Sequence, residues 1–555
     1  MKRILAAAFV GFFALTAQAA EPEAPGAGTL LQQVQPITPP SPLPNETGLT
    51  IEQEGGGKLP PSAPFLVKTL QISGNTLFDT PTLHALVADG EGKTLTLSQV
   101  GELAARITNY YHSHGYPLAR AIIPAQAIQE GVVVIQVIEA RFGKVRLDNH
   151  SRVNDPLVEA TLSPLQSGQA IDQRELDHCL LLLNDIPGIV VNATLKPGET
   201  VGTSDLVVQA SPGPALTGNI EMDDYGNRYT GRVRFGATIN FIDPLHHGDV
   251  LSVNALSSGR EMDYGRVVYE SLVNGEGTRM GGSYSDLHYI LGDTFSSLNG
   301  HGTAQVESLW AKHPFVRSVE ANLYGQVQYD RLELHDDINA TGIRTDRHLD
   351  NLTATLAGDA RDALLSGAVN AWNLGLTAGH VSFSNSEAQL ADAKTANTQD
   401  RFVKGNVNLS RLQSMGPKNA LYLAFTGQWA NTNLDPSQKM IAGGPYSVRA
   451  YDMSALSGDV GYLGTAELRH DLGSAWEGQW QAVAFIDSQH VTVNKAPWTA
   501  TVNSANLGGA GLGLNWTGRD HWSAKAYVAT QIGALPALVA SNASVHAWVE
   551  INKGF

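Results

Sequence analysis

The feature that most constrains this chain is an alternation of polar and apolar residues that persists from Pro214 to Phe555. Segments of about ten residues, separated by clusters of Gly, Asn and Asp, put apolar side chains on one face and polar ones on the other. In Gly231–Phe241, Val233, Phe235, Ala237, Ile239 and Phe241 alternate with Arg232, Arg234, Thr238 and Asn240. Leu323, Val327 and Tyr329 alternate with Asn322, Gln326 and Gln328, and Leu421, Leu423, Phe425 and Trp429 alternate with Tyr422, Thr426 and Gln428. A soluble β-sandwich would show the same period, but this region is longer than such sandwiches usually are. It also ends on Val545, Ala547, Val549, Ile551, Lys553 and Phe555 in strict alternation, closing with an aromatic. No apolar run after the N-terminus reaches the ~18–20 residues that a spanning helix needs, so a membrane location calls for a barrel. At ~10 residues per strand plus connections, residues 213–555 are expected to form a transmembrane antiparallel β-barrel of about 16 strands.

The 555 residues carry 37 Lys+Arg against 53 Asp+Glu, a net charge of −16, with 16% charged residues. Phosphate backbones need a positive surface and none accumulates here, so nucleic acid is not an expected partner. Residues 1–19 read as a signal peptide: Lys2 and Arg3 start it, Ile4–Leu15 is apolar but too short to span, and Ala17-Gln18-Ala19 is a small-x-small cleavage site. The single Cys179 excludes an internal disulfide. It lies on the apolar face Leu176, Cys179, Leu180, Leu183 and reads as a buried, inert thiol.

Residues 20–64 are rich in Pro, Gly and Gln and read as a linker. One island, Thr29–Gln35, could bring Leu30, Leu31 and Val34 onto one helix face. It is too short to be stable alone and needs a surface to bind. Residues 65–140 read as strand, helix, helix, strand, strand. Val67–Ile72 is a strand ended by Ser73, Gly74 and Asn75, and Ser98 caps a helix with the stripe Val100, Leu103, Ala104, Ile107, Tyr110, Tyr111 that stops at Gly115. Ala119–Pro124 and Val132–Ile138 complete the unit. Residues 141–212 repeat the order: a strand through Val145 and Leu147, a helix at Pro156–Leu162, a Leu-rich helix opened by Asp172 and Glu175, then strands Ile189–Leu195 and Asp205–Ala210.

Signals for chemistry are weak. Gly92-Lys93-Thr94 ends like a phosphate-binding loop, but Val87 stands where that motif requires Gly and a helix precedes it. His112 and His114 are poorly spaced for a metal and His246-His247 falls in a loop. No catalytic residue, cofactor or metal is expected, and the chain does not read as an enzyme.

The stretches Gly115–Gln126 and Glu130–Glu139 are similar to the first POTRA domain of the hemolysin and filamentous-hemagglutinin secretion transporters (TpsB) of two-partner secretion. Leu180–Gly188, Leu195–Gly198 and Gly202–Leu206 resemble the second POTRA domain, and Asp223–Gly231 resembles the start of that family's barrel. Within Gly443–Asp452, Val448, Arg449, Ala450 and Tyr451 resemble the lumen-loop signature Val-Arg-Gly-Tyr, with Ala450 in place of the usual Gly. Phe485 and Asp487 resemble the Phe-x-Asp strand motif. The terminal Phe555 resembles the signal read during barrel assembly, from which Lys553 departs because an apolar residue is commoner there. Parity independently groups Asp487 with Gln481 and Gln489, and Glu467 with Arg469; a carboxylate facing lipid is costly, so Asp487 should point inward. Arg449 alone would read as a solvated loop charge. With the resemblance it is expected to pair with Asp487 first and Glu467 second.

The resemblance implies an outer-membrane pore that recognises a large unfolded exoprotein, hemolysin or adhesin-like, in the periplasm and secretes it. It implies POTRA domains at 65–140 and 141–212 and a plug formed by the helix at Leu30–Val34. Outer-membrane lipids, periplasmic chaperones and the barrel-assembly machinery are the further partners. A barrel-assembly insertase usually carries more POTRA units, and a passive porin would carry none.

Overall fold

A computed structural model describes residues 24–34, 42–52, 60–539 and 543–555; the expected signal peptide lies outside the described residues. Sixteen antiparallel strands form a closed barrel in which each pairs with the next in sequence and Leu216–Asp223, the first, pairs with Val545–Gly554, the last. The alternation decides which way each side chain points. Phe235 and Phe241 stand exposed on the outer wall while Arg234, of the opposite parity, is buried. In a bilayer the outward face meets acyl chains, and closing the ladder pairs the strands' backbone groups with those of their neighbours.

Strand length departs from the ten-residue expectation. Gly300–Arg317, Ala321–Ile338 and Ile343–Asp362 run 18, 18 and 20 residues. The outward row Leu309, Tyr329, Leu352, matched across the three strands, is followed one step up by the matched row Glu307, Arg331, Asp350. An apolar band ~25 Å tall accounts for only part of such strands. Their outer ends rise clear of the lipid, where the outward face turns polar while Val306, Leu332, Leu334 and Leu349 face inward, so the pattern read lower down is reversed.

Two small α+β units precede the barrel. In the first, Val132–Ile138 lies between Thr69–Ser73 and Arg120–Ile122, with Phe65–Val67 paired to Lys93–Leu95 and helix Leu97–Ser113 covering the sheet. Val100, Leu103, Ile107 and Tyr111 fill its core with Val133 and Ile135. The expected strand Val67–Ile72 is broken at Lys68, whose amide bonds to Gly131 O at 2.7 Å instead. The cap is Thr96 and not Ser98. Thr96 and Gln99 exchange side-chain to backbone hydrogen bonds in a capping box, and that reciprocity selects it over the neighbouring Ser. In the second unit the strand order is Leu49–Ile51, Ile189–Pro197, Thr203–Pro212, Arg141–Asn149. The outermost strand comes from the linker, so that segment is not featureless: Leu49–Ile51 adds in parallel against Ala193–Leu195. Cys179 is 1% exposed in this unit's core, and burial pushes its thiol up to about 12.

At the junction of the two units stands Glu139, which Arg141 of the second unit reaches at 3.4 Å. Its carboxylate accepts from the amides of Thr76 (2.6 Å) and Leu77 (2.8 Å), from the Thr76 hydroxyl and from Tyr111 Oη (2.8 Å). Burial works against its charge, yet these donors outweigh it and hold the carboxyl below the ordinary range. Arg141 then donates to Thr76 Oγ1 at 2.7 Å, and Gln173 N to Gly115 O at 2.9 Å, across the joint.

Candidate functional site

The lumen is filled by two segments. The first is helix α1, Ala27–Val34, which starts two residues before the expected island and lies inside the barrel. Leu30 and Leu31 are buried among Tyr264, Leu287, Tyr289, Leu332, Leu349 and Phe402, with Val34 partly buried beside them. Its ends meet complementary charges on the wall. Ala27 N donates to Asp336 Oδ1 at 2.7 Å, and Arg234 Nη1 donates to Gln33 O at 3.3 Å. A helix is positive at its first turn and negative at its last, so both contacts have the favourable sign. Gly28 is required by space: a Cβ there would lie 2.7 Å from Ser437 N.

The second is the connection between strands Asn419–Ala430 and Val460–Ala475, which folds inward as a short ribbon, Met440–Ala442 with Leu456–Gly458. Val448, Ala450 and Tyr451 are fully buried at its tip, and Arg449 is 5% exposed. Arg449 is therefore no solvated charge. Its Nε and Nη2 fork onto Asp487 at 2.9 and 2.8 Å, its Nη1 reaches Glu467 Oε1 at 2.7 Å, and its amide reaches Asp487 Oδ2 at 3.2 Å. The guanidinium lies 3.5 Å from the centre of the Phe485 ring. Arg469 takes the other Glu467 oxygen at 2.7 Å, so two cations balance two carboxylates. A paired, forked guanidinium–carboxylate contact of this kind is strong and directional. Ala450 does not adopt a positive φ. Room for its methyl comes from the facing strand, where a Cβ on Gly509 would meet Ala450 Cβ at 2.6 Å. Phe555, the terminal aromatic, is exposed on the outer wall; beside it, the departing residue Lys553 lies over the Trp522 ring at 5.5 Å.

Two buried charge clusters went unnoticed in the sequence. Arg347 joins Asp336 to Asp435 (2.9 Å), and Asp435 caps the turn Pro436–Gln438 that packs on α1. Arg347 shares inward parity with Leu349, Asn351 and Thr353, which was the available signal. At the periplasmic mouth, Arg317 forks onto Asp185 of the second small unit at 2.6 and 2.8 Å and donates to Pro44 O of the linker at 2.8 Å. Arg361 holds the neighbouring Leu43 O at 2.8 Å. A cavity of about 430 Å³ remains beside α1, where hydroxyls and amides such as Ser285, Ser308, Gln328 and Thr353 mix with apolar side chains such as Leu332 and Met440.

A sixteen-stranded barrel carrying small periplasmic α+β units, with a helix and an inward loop in its lumen, defines an outer-membrane transporter for protein. The chain belongs to the haemolysin secretion/activation protein family ShlB/FhaC/HecB, whose model matches residues 202–516, and residues 65–140 match the ShlB-type POTRA domain. It is similar to the heme/hemopexin transporter protein HuxB of Haemophilus influenzae (strain 86-028NP), 28% identical over 455 residues, 81% of this chain and 80% of that protein. It is also similar to the outer membrane transporter CdiB of Escherichia coli, 24% identical over 471 residues, 82% of this chain and 76% of that one. Among solved structures, CdiB from Escherichia coli superimposes with a TM-score of 0.70 at 20% identity, covering 91% of this chain and 93% of that one. The protein is a two-partner secretion transporter of the outer membrane, its POTRA domains in the periplasm, that exports an exoprotein partner. Family, fold class and location agree with the sequence reading.

Proposed function

We propose that the POTRA units receive the unfolded exoprotein by strand addition, that α1 closes the barrel at rest, and that Arg449 holds the lumen loop to the wall during export. The observation that carries the first step is the linker strand. Ala193 N donates to Gly48 O at 3.0 Å and Glu52 N to Leu195 O at 2.9 Å, so the edge of Ile189–Pro197 already accepts an extended segment. Such an edge offers main-chain hydrogen bonds for affinity and alternate side-chain positions for selection. Residues 65–140 and 141–212 act as the two receiving domains. The barrel conducts the chain outward past hydroxyl and amide side chains that bind no segment tightly, and folding of the cargo outside makes its return unfavourable. This reading assigns the protein no catalytic chemistry. Outer-membrane lipids cover its apolar outer wall, and periplasmic chaperones and the assembly machinery, reading the strand that ends in Phe555, deliver it there. HuxB is named for heme/hemopexin transport, so an exoprotein of haem acquisition is the first cargo class to test. The test is to express Pro214–Phe555 behind a signal peptide. Cargo should accumulate in the periplasm; normal secretion by this truncated protein would remove the POTRA units from recognition.

A further inference from the structure

The barrel is closed by its shortest ladder. The first and last strands pair only from Asn219–Gly554 to Asp223–Glu550, five residue pairs, whereas the first and second strands share eight and Ala321–Ile338 with Ile343–Asp362 shares eighteen. Beyond Asp223 the last strand continues outward through Val545–Val549 with no strand opposite it among the described residues. Asp224 supplies one end of the gap, bonding Val549 O and N at 3.2 and 2.8 Å. The rest faces the loop that leaves the first strand.

The tip of the lumen loop sits against this gap from inside. Trp548, 1% exposed, donates from Nε1 to Arg449 O at 2.7 Å. Three residues on, the Asp452 carboxylate lies 3.4 Å from Nε2 of the buried His546 on the same last strand. The other side of the gap reaches the same carboxylate: Arg232 Nη2 donates to Asp452 Oδ1 at 2.8 Å and Arg228 Nη1 stands at 3.9 Å. Both arginines belong to the loop between the first and second strands. Asn227 of that loop donates to Met453 O at 3.4 Å, and Tyr225 packs edge-on against Trp548 with centroids 6.0 Å apart. The Arg449 guanidinium, in contrast, is fixed to strands Val460–Ala475 and Gly478–Thr492, away from the seam that its carbonyl touches through Trp548.

We infer that Asp452 is a positioning residue of the transporter, a clasp that ties both sides of the barrel seam to the lumen loop. Arg449 holds the loop to the wall, and Asp452 holds the seam to the loop. Breaking the Asp452 contacts then loosens the seam, whereas breaking those of Arg449 loosens the wall strands that bear Asp487 and Glu467. The inference rests on the geometry of the loop and not on how cargo is recognised, and its readout is independent of secretion.

The test uses the full-length protein folded in lipid nanodiscs, with amide hydrogen exchange read strand by strand. Asp452→Asn keeps the size and removes the charge. Exchange at Ile220–Asp223 and Val549–Ile551 should accelerate at least tenfold while Phe485–Gln489 stays unchanged. A disulfide between Met222→Cys and Ile551→Cys, register partners on the outward face, should restore slow exchange in the same variant. Arg449→Ala should give the opposite map, with exchange accelerated in the strands bearing Asp487 and Glu467. Seam exchange within twofold of the native rate, or an acceleration spread evenly round the barrel, overturns the proposal. Should Asp452→Asn fail to assemble, Arg232→Gln weakens the same contact from the half-exposed outer loop, and unchanged seam exchange there overturns it equally.

Discussion

Helix α1 and the Arg449 loop occupy the same lumen, and they are held in opposite ways. The helix offers Leu30 and Leu31 to an apolar wall and makes polar contacts at its two ends. The loop is continuous with barrel strands on both sides and buries a guanidinium against two carboxylates. An eight-residue helix has little stability of its own, so leaving its site costs only what the wall supplied. Breaking a buried ion pair strands an uncompensated charge, which is far costlier. The lumen thus holds one segment suited to departure and one suited to staying.

That contrast is most open to attack at Arg449. Arg449→Ala and Asp487→Ala should each disable secretion, because removing one partner of a buried pair costs ~3–5 kcal/mol. The double charge swap should restore part of it. Cargo in the medium is measured at equal amounts of folded barrel, and normal secretion by both single variants would remove the pair from the mechanism. Next in size, deleting Glu21–Gln35 should raise channel conductance in planar bilayers without abolishing secretion; unchanged conductance would reduce α1 to a linker. A smaller effect of the same kind is expected from Arg317→Gln, which frees Pro44 from the periplasmic mouth while leaving every contact of α1 in place. Openings should become more frequent but remain rarer than in the deletion; openings as frequent as in the deletion would show that the grip on the helix lies in the linker.

Glu139 supplies a charge-anchored contact outside the membrane with which to sharpen the comparison. Its carboxyl is held below the ordinary range, so its contribution is present above the unfolded carboxylate value of about 4.3 and is lost as pH falls through the lower folded value. The joint between the two small units should therefore become protease-sensitive in acid. Glu139→Gln should show a weaker joint at neutral pH, by about 1–3 kcal/mol, without the acid dependence. Equal pH profiles for both proteins would rule out Glu139 as the source.

What could be read from the sequence depended on whether a short period carried it. Two-residue periodicity gave the barrel and also the inward direction of Asp487 and Glu467, since parity within a strand is parity across the wall. It missed the outer ends of the long strands, because Glu307, Arg331 and Asp350 make the outward face polar there. The linker strand was invisible: Leu49–Ile51 is three residues long and exists only because Ile189–Pro197 offers an edge. Arg317 and Asp185 lie 132 positions apart, at a strand end and a helix end, where no local pattern connects them. By type Ser98 is the better cap, and only the Gln99 side chain, three residues beyond Thr96, reverses the choice.

The linker strand also sets a distance. From Gln35 to Gly48 there are 14 residues, which at full extension reach about 50 Å. With Leu49–Ile51 paired to the second small unit, a helix that has left the lumen remains leashed near the mouth at an effective concentration in the millimolar range. On the role proposed for α1, resealing is then a unimolecular event whose rate ignores how many transporters the membrane holds, and each barrel would keep its own stopper from one round of export to the next.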